Sequence, residues 1–220
     1  LLALGIYLAI YFVGKNNRQD EDKEKNFSLQ IYVDDQCETY NFSSKDEQSK
    51  YLEDYLPKNI NEENSCGWFS DSEFTQPIIE LPNILRSDLS IYTKKATLDC
   101  LNLEFNEEKH CYSVSQVIYQ NKRDIVIPLS CSGSIEGLGA VCLIEDNAFL
   151  GANQTYSITM PYTIMEIGIH VFANCYNLQS NNMPDSYIYS LRSIGDGVFS
   201  GCDSLKNIKL SNNLSSLGEG

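Results

Sequence analysis

Ile167-Gly168-Ile169-His170-Val171-Phe172-Ala173-Asn174-Cys175 and Ile194-Gly195-Asp196-Gly197-Val198-Phe199-Ser200-Gly201-Cys202 are one phrase written twice. A looser copy stands upstream, where Ile144 precedes Asn147-Ala148-Phe149-Leu150-Gly151-Ala152. Each phenylalanine follows its isoleucine by five residues, and the phenylalanines are 23 and 27 apart. Eleven residues beyond each Phe comes Met160, Met183 or Leu210, with Pro161 and Pro184 next in the first two copies. Leu178 and Leu205 share the sixth place after Phe, and Ile158 and Ile208 the ninth. The extra four residues of the second copy fall between 186 and 193. A unit this short cannot bury its apolar face alone, so the pattern predicts neighbouring units stacked into a solenoid with a continuous core.

The pattern Ile-Gly-x-x-x-Phe-x-x-Cys-x-x-Leu-x-x-Ile-x-Leu/Met-Pro resembles the BspA-type leucine-rich repeat over residues 125–220. Ile125-Val126-Ile127-Pro128 mimics Ile158 to Pro161 and reads as the strand of an earlier, degenerate unit. Leu217 holds the isoleucine slot and the next Phe would fall beyond Gly220, so the last repeat is expected to be incomplete. On this resemblance Cys175 and Cys202 are structural thiols, small buried hydrophobes stacked between coils. Residues eight and ten after each Phe flank the inward strand positions: Ser157, Thr159, Ser180, Asn182, Asn207 and Lys209. That column is polar and nearly uncharged, suited to hydrogen bonding with a protein or glycan, although an ordinary solvated strand face has the same composition. For such families the resemblance implies adhesion to host proteins or other cells, an association by family rather than by site.

Upstream, Phe27-Ser28-Leu29-Gln30-Ile31-Tyr32-Val33 alternates strictly, as a half-buried strand does. Residues 44–56 are helix-compatible, with Tyr51, Leu52 and Tyr55 on one face and Pro57 as the stop. Gly67-Trp68-Phe69-Ser70-Asp71, then Phe74, Pro77 and Asp88-Leu89-Ser90-Ile91-Tyr92-Thr93-Lys94, resembles the internalin-type B-repeat, or Listeria–Bacteroides repeat. Ala96 replaces that family's final Trp, and Asp34-Asp35-Gln36 replaces its Asn-Gly-Gly turn. The resemblance implies a small β-grasp-like module. The expected fold class is thus α+β, a β-grasp-like module over 27–96 followed by a β-rich leucine-rich-repeat solenoid. Two strands at 96–104 and 110–119 would make a hairpin, the 97–124 cap of the solenoid at 125–220. Cys100 and Cys111 could face one another across it, as could Cys37 and Cys66 within the first module, but connectivity is not deducible from sequence.

The chain of 220 residues carries 16 Lys plus Arg against 30 Asp plus Glu, a net charge of -14. So acidic a chain is a poor partner for nucleic acid or an anionic lipid surface. Residues 1–14 open with thirteen uncharged residues, which as a helix span about 20 Å against a hydrocarbon core of about 30 Å. They are expected to be part of a transmembrane or signal segment, and the charged run at 15–26 a solvated stalk. Eight cysteines exceed the habit of a reduced cytosolic protein. Asn26, Asn41, Asn153 and Asn213 head N-x-[ST] tripeptides, a weak signal in a chain rich in Asn and Ser.

No zinc spacing, HExxH, phosphate-cradling glycine loop or Gly-x-Ser-x-Gly elbow occurs, so no metal, cofactor or catalytic residue is assigned. The histidines are His110 and His170, and the loop at Gly133-Ser134-Ile135-Glu136-Gly137 is not a nucleophile elbow. The reading is a membrane-tethered, non-enzymatic cell-surface binding protein whose partner is a host or neighbouring-cell protein or glycan. A structural spacer presenting a further C-terminal domain is the alternative. A thiol hydrolase using Cys111 or His110 is the remote one.

Overall fold

The computed structural model describes residues 26–43, 50–58, 60, 64–72, 76–78, 81–118, 122–132, 138–182, 190–208, 210 and 212–220. The expected membrane segment at 1–14, the stalk up to residue 25, Phe74, the 133–137 loop, Met183, Pro184 and Lys209 lie outside the described residues.

The first module is a sheet of three strands in the order β2-β1-β5, with β1 at Asn26–Val33, β2 at Gln36–Ser43 and β5 at Leu89–Thr93. The alternation of β1 sets its faces: Leu29 and Ile31 lie against Leu89 and Ile91 of the parallel neighbour and are buried with Phe42 and Leu52. Asp34 turns β1 into β2 with φ 53°, a conformation its short polar side chain tolerates.

The helix expected over 44–56 is not there in the part described. Lys50–Tyr51 is a short strand, β3, paired with β4 at Ile84–Leu85, and Leu52–Asp54 is one 3-10 turn. Tertiary packing overrides the local pattern: Leu52 donates its N–H to Asn83 and is buried, while Tyr55 packs edge-on against Tyr40 and Phe42. Among the described residues helix is limited to the 3-10 turns Leu52–Asp54 and Leu98–Cys100 and to Ser190. The architecture is therefore mostly β, and the α component of the expected class is corrected.

Trp68 and Phe69 face opposite ways, as neighbours on an extended chain must. Trp68 packs on the module's own core, whereas Phe69 is fully buried with Cys66 and Val126 at the junction with the repeats. The junction is tied by main-chain bonds from Leu129 N–H to Ser65 O and from Thr97 N–H to Val126 O.

A hairpin of β6 (Leu101–Asn106) and β7 (Cys111–Val117) follows, and β7 pairs in parallel with β10 (Leu138–Ile144). From β10 a parallel ladder climbs through β12 (Glu166–Ile167), β14 (Ser193–Ile194) and β15 (Ser216–Leu217), putting Ile144, Ile167, Ile194 and Leu217 in one column. A second parallel ladder joins β8 (Asp124–Val126), β11 (Ser157–Thr159) and β13 (Ser180–Asn182). A short β9 (Ser130–Ser132) lies antiparallel to β10. Successive coils thus contribute rungs to both ladders as far as β13, and beyond it, among the described residues, only to the first.

Between the ladders the phenylalanines stack, Phe149 to Phe172 at 5.2 Å and Phe172 to Phe199 at 5.6 Å. Phe149 and Phe172 are fully buried, each contributing roughly 2–3 kcal/mol of transfer free energy. Where the sequence repeats Ile-Gly, the coils approach closely. A Cβ on Gly195 would stand 2.6 Å from the carbonyl carbon of Gly168, which excludes any larger residue without moving a backbone. The first copy has Glu145 at this place, and there the neighbour is the hairpin strand β7 instead of another coil.

Candidate functional site

The residues singled out as a binding face fall on the β8-β11-β13 ladder. Ser157 and Ser180 pair directly, as do Thr159 and Asn182, and β8 extends the first column back to Asp124. Ser157 is half-buried and donates its hydroxyl to Asp124 at 2.5 Å. Thr159 is not on an exposed face: it is 1% exposed, with the Lys94 ammonium 3.4 Å from its hydroxyl. The first module closes over it, something a count along the repeat could not show. Asn207 is exposed but outside any strand, so the third copy is no rung of this ladder as described.

Where the first module meets the ladder it leaves an open cleft of about 940 Å³. The cleft is lined by Tyr32 and Tyr92, stacked at 4.3 Å, and by Asp35 in the β1-β2 turn. The floor holds Lys95, Asp99 and Lys122. The Cys37 thiol and then burial hold the Tyr32 phenol above its ordinary range. Lys122 lies 2.8 Å from Asp99, whose carboxylate raises the ammonium. Repeat counting missed this cleft because its walls come from segments some 60 to 90 residues apart in sequence.

The opposite ladder has a shallow trough of about 560 Å³ flanked by Glu145, Asp146 and Glu166. Its carboxylates are engaged in the fold. Glu145 accepts the buried Ser113 hydroxyl, Asp146 accepts Ile169 N–H at 2.7 Å, and Glu166 pairs with Lys109 at 2.7 Å. Among the described residues no three His, Cys, Asp or Glu side chains converge as metal ligands would.

Cys175 and Cys202 are buried, their thiols directed at the carbonyls of Phe149 (3.2 Å) and Phe172 (3.0 Å) on the preceding coil. Burial pushes the Cys175 thiol up to about 12 and raises Cys202 as well. Such thiols are poor nucleophiles, because the thiolate is the reactive form.

Both conjectured disulfides are corrected. Cys111 is bonded to Cys142, with Cα atoms 6.0 Å apart, while Cys37, Cys66 and Cys100 are free thiols. Cys111 pairs with Asn106 at the turn end of the hairpin, whereas Cys100 accepts Ile118 N–H at its open end, about 20 Å away by strand rise. Cys37 lies on β2, three strand spacings or about 14 Å across the sheet from Cys66, beyond the reach of a disulfide. The bond to Cys142 also removes the thiol that a Cys111 hydrolase would need. His110 and His170 are exposed and hold left-handed turn positions at φ 54° and 53°.

Among solved structures, the chain is similar to a leucine-rich repeat protein of T. pallidum at 22% identity and TM-score 0.47, over 56% of this chain and 53% of that one. A leucine-rich repeat protein of Bacteroides ovatus is 32% identical at TM-score 0.48, over 56% of this chain and 31% of that one. A leucine rich cell surface protein of Faecalibacterium prausnitzii is 24% identical at TM-score 0.46, over 56% and 31%. The chain therefore spans about half the length of the first of these and under a third of the other two. No curated protein matches the chain. The in-register isoleucine, phenylalanine and cysteine columns have their counterpart in a family match: residues 134–220 are similar, in six copies, to the family described as a BspA type leucine rich repeat region.

Proposed function

We propose that this chain is a non-enzymatic cell-surface binding protein, tethered through its N-terminal segment, whose solenoid engages a host or neighbouring-cell protein or glycan. The observation that carries the reading is the polar column Asp124–Ser157–Ser180, held in register across three parallel strands. Ligands of repeat proteins sit on such laterally continuous surfaces. The surface location is supported by the Cys111–Cys142 bond, since disulfides persist in oxidising compartments. Among the described residues no helix is long and apolar enough to cross a membrane, so the tether rests on residues 1–14.

Adhesion of beads coated with the full chain to cultured epithelial cells tests the reading. Arginine at Ser157 and Ser180 puts bulk and charge on the column, and bead retention is expected to fall about tenfold, the loss of one good contact. Unchanged retention would overturn it. The main-chain bonds at the junction favour the spacer as second reading. A spacer would lose reach when a repeat is deleted, yet ignore the arginines.

A further inference from the structure

The cleft between the first module and the repeats is lined by both signs of charge. Four carboxylates and three ammonium groups line it, so it is close to neutral within a chain of net charge -14. Its only aliphatic side chains are Ala96 and Val126, and Val126 is buried in the junction. The volume, about 940 Å³, lies at the upper end of small-ligand sites.

Several of its polar groups are already held in place by a partner. Asp34 accepts Lys95 N–H at 3.0 Å, Asp99 holds Lys122 at 2.8 Å, and Asp124 accepts the Ser157 hydroxyl. A carboxylate has about four acceptor positions and an ammonium three donors, so each keeps capacity for a ligand. The stacked Tyr32 and Tyr92 add phenol hydroxyls and aromatic edge to the same wall.

A polyanion would meet four carboxylates, and a polycation would meet three lysines. A peptide anchored by large apolar side chains would find no apolar pocket, where such anchors gain most of their energy. A ligand dense in hydroxyls and without net charge can both donate to the carboxylates and accept from the ammoniums, and its C–H faces suit tyrosine. We infer that this inter-module cleft binds a neutral oligosaccharide. It borders the solenoid face and shares Asp124 with it, but its other lining residues lie outside that column and the inference does not depend on that reading.

The test is calorimetric titration of the full chain with neutral hexasaccharides of glucose, mannose and N-acetylglucosamine, alongside a heparin hexasaccharide and a leucine-rich decapeptide. At least one neutral sugar is expected to bind saturably with Kd below about 1 mM. Asp35→Ala and Lys95→Ala change exposed side chains and should leave the melting temperature in place while weakening that sugar about tenfold. The inference is overturned if no neutral sugar binds, if heparin or the peptide binds better, or if neither alanine variant matters. Loss on Ser180→Arg instead would put the sugar on the solenoid face, sinking this site and sparing the proposed function.

Discussion

Two residues in every coil are left-handed, and they flank the phenylalanine symmetrically. Asn147, His170 and Gly197 have φ of 60°, 53° and 58° two residues before it, and Gly151, Asn174 and Gly201 have 69°, 60° and 71° two residues after. Asn, His and Gly tolerate this region better than other residues. His170 is thereby explained as a turn residue, a role hidden in the sequence because three residue types fill the column. Asn174→Val, β-branched at φ 60°, should cost about 1–2 kcal/mol in urea unfolding. Asn174→Gly should cost less than half of that, and equal losses would refute the backbone explanation.

At the scale of the element, the Ile-Gly pair makes the rung. Ile167 and Ile194 fill the interior, while Gly168, Gly195 and Gly218 donate N–H groups to the preceding coil and lie so close to it that no side chain fits. Gly195→Ala must separate two backbones, and a loss of about 1–3 kcal/mol is expected from thermal melts. An unchanged melting temperature would show that the coils part without cost. The repeating Ile-Gly announced this rung in the sequence, since a fixed close approach needs the same residue in every copy. The bulge between Val141 and Leu143 that brings Cys142 to Cys111 left no such trace. The short helix failed for a related reason, because β3 found a partner in β4 far along the chain.

For the whole molecule, the Cys111–Cys142 bond staples the hairpin to the first coil across a separation of 31 residues. Reduction, or paired Cys111→Ala and Cys142→Ala changes, should cost about 2–4 kcal/mol in calorimetry. Cys100→Ala should leave the effect of reductant intact. A melting temperature indifferent to reductant in the wild-type chain would deny the staple. The first module contributes beyond its own core. It buries Phe69 against Val126, covers Thr159 through Lys94 and supplies the tyrosine wall of the cleft.

What the sequence determined by itself was much of what recurs in the same residue type: the solenoid, the inward isoleucines, the buried thiols and the pairing of Ser157 with Ser180. Recurrence is legible because each coil solves the same packing problem against its neighbour, and the same residue types answer it each time. Tertiary structure alone decided what happens once: the disulfide partner, the burial of Thr159, the loss of the short helix and the cleft. Each of these depends on segments distant in the chain that meet only in the folded molecule, and no local pattern encodes where two distant surfaces will touch.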